Sequence, residues 1–280
     1  MGNCCVSNQR SHFDICHPFM VFSVFFSHTH TRARFLSTTR VQAAESRMYL
    51  ATDQWLDICT SEIITCEKDT LGCDGGWPQN AFDYLEDKGE AIWEESGSCS
   101  GEDFEELGVT LETYEKEDVC STFKNDGEGS SSKDSKDSGS RDGDRLPRFK
   151  GYTYATEPCV CYSSGSGCAC RNQDEDKMAQ NVATYGPATI CVDGTNLRNY
   201  VGGIMQAESI GCSSEFLAMN HCLIVIGYSL ADEGDDDGVS YWIVKNQWGN
   251  SWGDNGVAYI EFGYNSCGIA NDVTLAKVEV

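Results

Sequence analysis

Two segments near the carboxyl end of the chain decide the fold: Asn220-His-Cys-Leu-Ile-Val-Ile-Gly-Tyr228 and Tyr241-Trp-Ile-Val-Lys-Asn-Gln-Trp-Gly249. In the first, a histidine comes directly before an apolar run, which is typical of a buried strand. In the second, an asparagine and a tryptophan follow another short apolar run. An imidazole can serve as a base, and an amide oxygen can hold its ring in one orientation. The alternative, a structural histidine and a turn asparagine, would be favoured only for isolated residues.

Further pieces lie on both sides of these segments. Ser251-Trp-Gly253 and Cys267-Gly-Ile-Ala270 follow in order. Upstream, the turn Gly72-Cys-Asp-Gly-Gly-Trp-Pro78 opens a helix with Asn80-Ala-Phe82 in its first turns. An ordinary turn would be the preferred interpretation of a lone Cys-x-Gly-Gly. Here the turn comes before Trp-Pro and a helix and lies upstream of the histidine, which favours a functional interpretation.

Taken in this order, the segments resemble the papain-like cysteine peptidases. The family pattern Val-Lys-Asn-Ser-Trp-Gly is matched except at Gln247. The resemblance implies that His221 is the base, that Asn246 orients its ring and that Trp248 shields their hydrogen bond from water. It also implies an α+β, papain-like fold of two sub-domains, with a helical N-terminal half and an antiparallel, β-barrel-like C-terminal half, N-terminally incomplete here.

The resemblance further implies a cleft for an extended peptide. Gly75 and Gly76 would form its wall, because a backbone without side chains can pair with the substrate. Asp272 would lie at the floor of the main specificity pocket and accept Arg or Lys, while apolar walls still admit Leu or Phe. The alternative is that Asp272 turns outward into solvent. The other wall positions are Trp77, Pro78, Cys191 and Met219.

Two disulfides are implied by the same resemblance. Cys212 would pair with Cys267 and tie the β sub-domain, and Cys66 would pair with Cys120. Cys73 should lack its usual partner, a cysteine three residues before the nucleophile.

The nucleophilic cysteine is not where the resemblance requires it. In the family it opens a helix in a Cys-Gly-Ser-Cys-Trp-Ala-Phe context. The rest of that helix is recognisable from Ser37 to Glu45, and counting back places the nucleophile between positions 33 and 35. Those positions hold Ala33, Arg34 and Phe35. We therefore expect residues 1–36 to be a non-family segment that arose by mis-splicing or from a wrong gene model. The second interpretation is that the protein is a genuine non-catalytic relative of the family.

The function implied is hydrolysis of peptide bonds by a cysteine-type peptidase through an acyl-enzyme. Without the thiol, this chain is not expected to perform it. The alternative is a non-catalytic, protease-like protein that holds peptides in an intact cleft. A disulfide-rich structural protein is a further rival that the Asn246 segment disfavours. We expect a monomer with a polypeptide substrate or inhibitor as partner, and no cofactor or metal.

The periodicity of the chain predicts a helical part at 37–123, a low-complexity, disordered insertion at 124–145 and a β part with the His/Asn site at 146–280. Within these parts, helices are expected at 38–51, from Thr60 as a possible N-cap, at 78–87 and at 174–185. Strands are expected at 150–156, 188–192, 221–228, 241–244 and 257–262.

Composition limits the partners and the compartment. The formal net charge is −24, with 44 acidic against 20 basic residues, which disfavours nucleic acid. No stretch is long enough to span a membrane, and no clear signal peptide is present. The 16 cysteines favour an oxidising compartment, lysosome, vacuole or extracellular space. The cluster Cys159-x-Cys161 and Cys168-x-Cys170 has poor spacing for zinc, so disulfides of undetermined pairing are expected there.

Overall fold

The histidine and asparagine segments form neighbouring strands of one sheet. The computed structural model describes residues 19–21, 37–53, 58–69, 75–88, 148–162, 167–231 and 238–280, without the side chains of 19–21, 37–40, 61 and 65.

Helices dominate the described residues before position 89. They are α1 (Ser37–Thr52), α2 (Thr60–Cys66) and α3 (Pro78–Lys88). Later in the chain come α4 (Glu175–Tyr185) and the short α5 (Ala207–Ile210), with 3-10 turns at Leu197–Asn199, Phe216–Ala218 and Ser266–Gly268. None of the helices in the described ranges has the length and apolar character that crossing a membrane requires.

Local chemistry sets the ends of two of these helices. Pro78 stands at the first position of α3, where its fixed φ suits a helix and its missing N–H costs nothing. Asp174 caps α4 by accepting a hydrogen bond from the backbone N–H of Lys177 at 2.9 Å. The chain leaves α4 at Gly186, whose φ of 99° lies in the region that favours glycine.

Ten strands are present in the described part of the chain. They are β1 (Phe19–Val21), β2 (Arg148–Tyr154), β3 (Val160–Cys161), β4 (Cys168–Ala169), β5 (Ala188–Val192), β6 (Ile204–Met205), β7 (His221–Ser229), β8 (Tyr241–Lys245), β9 (Val257–Glu261) and β10 (Val273–Glu279). Eight of them form one sheet in the order β2-β10-β5-β7-β8-β9-β6, with β1 added to β7, and β3 and β4 form a separate hairpin. Only β6 and β9 pair in parallel among these strands.

Three buried clusters lie within the described residues, and two of them hold the helices against the sheet. The larger lies between the sheet and α4 and includes Trp242, Leu223, Ile190 and Met178. Another joins α1, α2 and α3 to the sheet edge formed by β2 and β10, and includes Phe82. The sheet edge thereby brings the start of α3 next to the start of β10, where Asp272 lies.

A buried carboxylate fixes α4 against the sheet. Glu175 is 5% exposed. Its side chain accepts hydrogen bonds from the indole N–H of Trp242 at 2.6 Å and from the backbone N–H groups of Gly263 at 2.9 Å and Asn265 at 2.5 Å. Three donors compensate much of the cost of burying this charge.

The structure corrects two expectations about local structure. The sequence of residues 1–36 shows no clear period and predicts no recognisable element, but β1 pairs antiparallel with β7, with Phe19 opposite Ser229. The backbone groups along β7 accept an additional strand, which the periodicity of so short a segment does not signal. Thr60 is the first residue of α2 and not its N-cap, which is Cys59.

Other expectations lie outside the described residues. These are the conformation of the segment at 124–145, the state of Cys73, the residues at 33–35 and the pairing of Cys120. Cys66 itself is disulfide-bonded.

Candidate active site

His221 and Asn246 come together because their strands are paired. His221 is the first residue of β7, and Asn246 directly follows β8. The two strands are antiparallel neighbours, with Ile224 opposite Lys245. The start of β7 and the end of β8 therefore lie side by side, and His221 Nε2 lies 3.0 Å from Asn246 Oδ1.

The hydrogen bonds of Asn246 indicate which tautomer of His221 is present. Asn246 Oδ1 also accepts a hydrogen bond from the backbone N–H of Gln247 at 2.9 Å. An amide oxygen only accepts, so the proton of the histidine bond lies on His221 Nε2. The lone pair is then on Nδ1, which is the nitrogen able to take a proton from another group.

Burial sets the charge of this histidine. It lowers the pKa of His221 from its ordinary value of 6.5, and the hydrogen bond with Asn246 opposes part of that shift. The neutral form therefore predominates at pH 7, and a neutral imidazole can act as a base.

An aromatic column covers the pair. The ring of Trp248 stacks on His221 with centroids 4.8 Å apart and an interplanar angle of 28°. Trp252 meets Trp248 edge to face at 5.4 Å, and its indole N–H donates to the carbonyl of Leu197 at 2.9 Å. This anchored indole holds Trp248 over the imidazole, where it excludes water from one face of the ring.

A polar network fixes the residue before the histidine. Asn220 Oδ1 accepts from the backbone N–H of Gly194 at 2.9 Å, and Asn220 Nδ2 approaches Asp193 Oδ1 at 3.4 Å. Burial would raise the pKa of Asp193, but hydrogen bonds led by that from Thr195, with others from Ser213 and Asn220, outweigh burial and lower it. Asp193 therefore stays ionised as the centre of this network.

Gly194 sets a steric limit on the histidine. A Cβ added at Gly194 would lie 2.6 Å from His221 Cβ, which is closer than real carbon atoms approach. A glycine at this position therefore allows His221 to sit where it does. No local sequence pattern indicates this contact, because 27 positions separate the two residues.

Gly75, Gly76 and Trp77, which were expected to form the cleft wall, directly precede α3. Gly75 is buried with a φ of 118°, a conformation that a side chain would strain. Trp77 stacks on Phe216 with centroids 5.5 Å apart and an interplanar angle of 10°. This stack joins the helical part to the β part of the molecule.

Asp272 does not turn into solvent. It is 5% exposed and lies in a pocket of about 240 Å³. Gln79 Nε2 donates to Asp272 Oδ1 at 2.7 Å and approaches Oδ2 at 3.0 Å. Burial raises the pKa of Asp272, and the Gln79 hydrogen bond opposes this.

The residues expected around this pocket are only partly brought together. Trp77 and Asp272 line it, but Pro78, Cys191 and Met219 are not among its lining residues. Cys191 is 1% exposed and forms a disulfide with Cys222, its partner across β5 and β7. The pocket instead contains residues that sequence reasoning missed, namely Gln79, Asn80, Tyr154, Pro158, Cys159 and Phe216.

Four disulfides lie within the described residues. Cys212–Cys267 is present, as the resemblance implied. The cysteine cluster forms the nested pairs Cys159–Cys170 and Cys161–Cys168, which confirms disulfides there and supplies the pairing that the sequence left open. These two disulfides cross-link the β3–β4 hairpin, and Cys159, which directly precedes β3, also lines the pocket.

Comparison with known proteins defines the family. The family model described as papain family cysteine protease matches residues 36–277, and the chain therefore belongs to this family. Human cathepsin O is 27% identical over 234 residues, which cover 84% of this chain and 56% of that protein. The chain spans about half the length of the curated relatives it matches.

Solved structures agree with the fold. A digestive procathepsin L2 proteinase from Tenebrio molitor larval midgut matches with a TM-score of 0.57 and 23% identity, covering 86% of this chain and 60% of that one. A Carica candamarcensis cysteine protease in complex with E-64 matches with a TM-score of 0.56 and 21% identity, covering 86% of each chain. The α+β, papain-like fold expected from the sequence is thus confirmed.

Proposed function

We propose that this chain carries the base-and-orienter half of a papain-type cysteine peptidase site and binds an extended polypeptide beside it. The observation that carries the proposal is the contact of His221 Nε2 with Asn246 Oδ1 under the ring of Trp248. In a complete site, Nδ1 of the imidazole would take the proton of a cysteine thiol. The thiolate would attack the peptide carbonyl, and the imidazolium would then protonate the leaving amine. Water would hydrolyse the acyl-enzyme.

We further propose that the chain as written binds peptides without cleaving them. Ala33, Arg34 and Phe35 occupy the positions where the family motif calls for the cysteine. None of these side chains can form a covalent acyl intermediate. The family assignment and the peptide-binding alternative are compatible, because both require the same cleft.

Two measurements on the full chain test this. Hydrolysis of fluorogenic peptides under reducing conditions should not exceed the buffer rate, and His221→Ala should not change it. A fluorescently labelled peptide should nevertheless bind, as followed by anisotropy. Hydrolysis that His221→Ala abolishes would overturn the non-catalytic proposal, and lack of any peptide binding would overturn the cleft.

The origin of the 33–35 segment has a separate test. Genomic DNA upstream of the Ser37 codon should contain an exon for Cys-Gly-Ser-Cys-Trp-Ala-Phe if the segment is a replaced block. Genomic sequence continuous through residues 1–36 would instead favour a genuine non-catalytic relative.

The compartment is proposed to be oxidising, that is lysosome, vacuole or extracellular space. The four disulfides in the described residues support this. A gel-shift assay with a thiol-reactive polymer on protein taken directly from its source should find these eight cysteines unreactive before reduction.

A further inference from the structure

The pocket at Asp272 holds its carboxylate in a fixed position. Asp272 directly precedes β10, and its carbonyl accepts a hydrogen bond from the backbone N–H of Cys191 at 3.3 Å. The next residue, Val273, accepts from the backbone N–H of Ala155 at 2.9 Å. The backbone on which this carboxylate sits is therefore tied to two neighbouring segments.

The walls of the pocket are also restrained. Cys159 is bound to Cys170 through a disulfide, and its backbone N–H donates to the carbonyl of Asn271 at 3.2 Å. Trp77 and Phe216, which also line the pocket, stack on each other. Burial, with smaller contributions that include the charge of Asp272, raises the pKa of Tyr154 to about 12, so this wall remains a neutral phenol.

Gln79, unlike the wall residues, is held by hydrogen bonds from its side chain to Asp272. It is half-buried in the first turn of α3, and its side-chain nitrogen contacts both oxygens of Asp272. Its amide oxygen is buried and has no hydrogen-bond partner among the described residues. A buried acceptor without a partner costs free energy, roughly the value of one to two ordinary hydrogen bonds. Swinging Gln79 out breaks its bonds to Asp272 but hydrates this oxygen, so the two effects partly cancel.

We propose that Gln79 is a gate that determines specificity by covering Asp272. With Gln79 in place, a ligand meets neutral walls made by Trp77, Tyr154 and Phe216, and the carboxylate is occupied. A basic side chain reaches Asp272 only by displacing the Gln79 amide. The pocket therefore admits apolar side chains directly, and admits Arg or Lys at the cost of opening the gate. This inference rests on the proposed binding of peptides in the cleft.

The test uses the full chain and two labelled peptides that differ only in one residue, Lys or Leu, at the position expected to enter the pocket. The net charge of −24 attracts any cationic peptide, so the informative quantity is how a substitution changes the ratio of the two dissociation constants. Gln79→Ala should tighten binding of the Lys peptide about ten-fold, as expected for a newly available charge-assisted hydrogen bond, and change the Leu peptide less than about two-fold. Adding Asp272→Asn to Gln79→Ala should cancel the gain.

Gln180→Ala is the matched control. Gln180 is exposed in α4 and is not among the residues that line the pocket. Gln180→Ala should therefore leave the Lys-to-Leu ratio unchanged. If Gln79→Ala does not fold, Gln79→Ser removes the same contact and serves in its place.

The possible outcomes separate the two proposals. Failure of the wild type and all variants to bind either peptide would overturn the peptide cleft. Binding of both peptides with equal ratios in the wild type and Gln79→Ala would overturn the gate and leave the cleft standing.

Discussion

Nε2 of His221 lies 3.0 Å from Oδ1 of Asn246, although 25 positions separate the two residues in the chain. The contact exists because β7 and β8 are paired and because the Gln247 backbone N–H also donates to that oxygen. The imidazole is thereby held with Nδ1 available for proton transfer.

The first prediction concerns the charge of His221. Its pKa is below 6.5 because burial disfavours the imidazolium. Between the folded and unfolded pKa values the unfolded chain binds more protons, so stability is fully present above pH 6.5 and falls as the pH drops through 6.5 towards the folded pKa. NMR titration of the ring protons, assigned with His221→Gln, measures the pKa. A midpoint at or above 6.5 would contradict the burial argument.

Substitutions of Asn246 should move that pKa in opposite directions. Asn246→Ala removes a contact that raises the pKa of His221, so the pKa should fall further, and Asn246→Asp should raise it by adding a negative charge. Asn246→Ala also leaves the Gln247 N–H without its acceptor and should cost about 1–3 kcal/mol in the free energy of unfolding.

The control is Asn172→Ala, since Asn172 is exposed. Its effect should stay within about 0.5 kcal/mol in denaturant unfolding. Equal losses for the two alanine variants would mean that the His221–Asn246 contact adds nothing to the free energy of unfolding.

A substitution at the buried Glu175 should lower the free energy of unfolding far more than one at the neighbouring Asp176. Glu175→Gln replaces one accepting oxygen by a donor, so at least one of the three N–H groups that it binds loses its partner. We expect a loss of about 2 kcal/mol. Asp176→Asn changes an exposed carboxylate one residue later and should be nearly neutral. Chemical unfolding followed by tryptophan fluorescence compares the two, and similar midpoints would disprove the anchoring role.

Disulfides that close loops of different lengths should differ in how much they contribute to the free energy of unfolding. Cys212–Cys267 spans 55 positions and Cys161–Cys168 spans 7. Replacing the first pair by serines should cost about 4 kcal/mol by the loop-entropy relation. The second pair is nested inside Cys159–Cys170, which already restricts that loop, so its removal should cost well under half as much. Thermal unfolding of both double variants makes the comparison, and the reverse order of stability would contradict the entropic argument.

Several features of the fold could be predicted from local sequence. Pro78 begins α3, Asp174 and Gly186 bound α4, and continuous apolar runs mark β5 and β7. Each depends on backbone preferences or burial within a few residues. The residue types at His221 and Asn246 likewise indicated their contact through family resemblance.

Other features depended on contacts between distant segments. The sequence placed Asp272 in a pocket but left its carboxylate open for a ligand, whereas Gln79, 193 positions away, occupies it. It suggested Cys191 as a wall residue, whereas β5–β7 pairing aligns it with Cys222 and buries both in a disulfide.

The sequence by itself therefore determined the family, the start of α3, the two ends of α4 and the residue types of the site, because these follow from short-range preferences and ordered motifs. The tertiary structure decided which side chains fill the pocket and how the cysteines of the β3–β4 hairpin pair. It also decided that β1 joins β7. The physical reason is that strand order and register bring together groups whose separation along the chain carries no information about their distance in space.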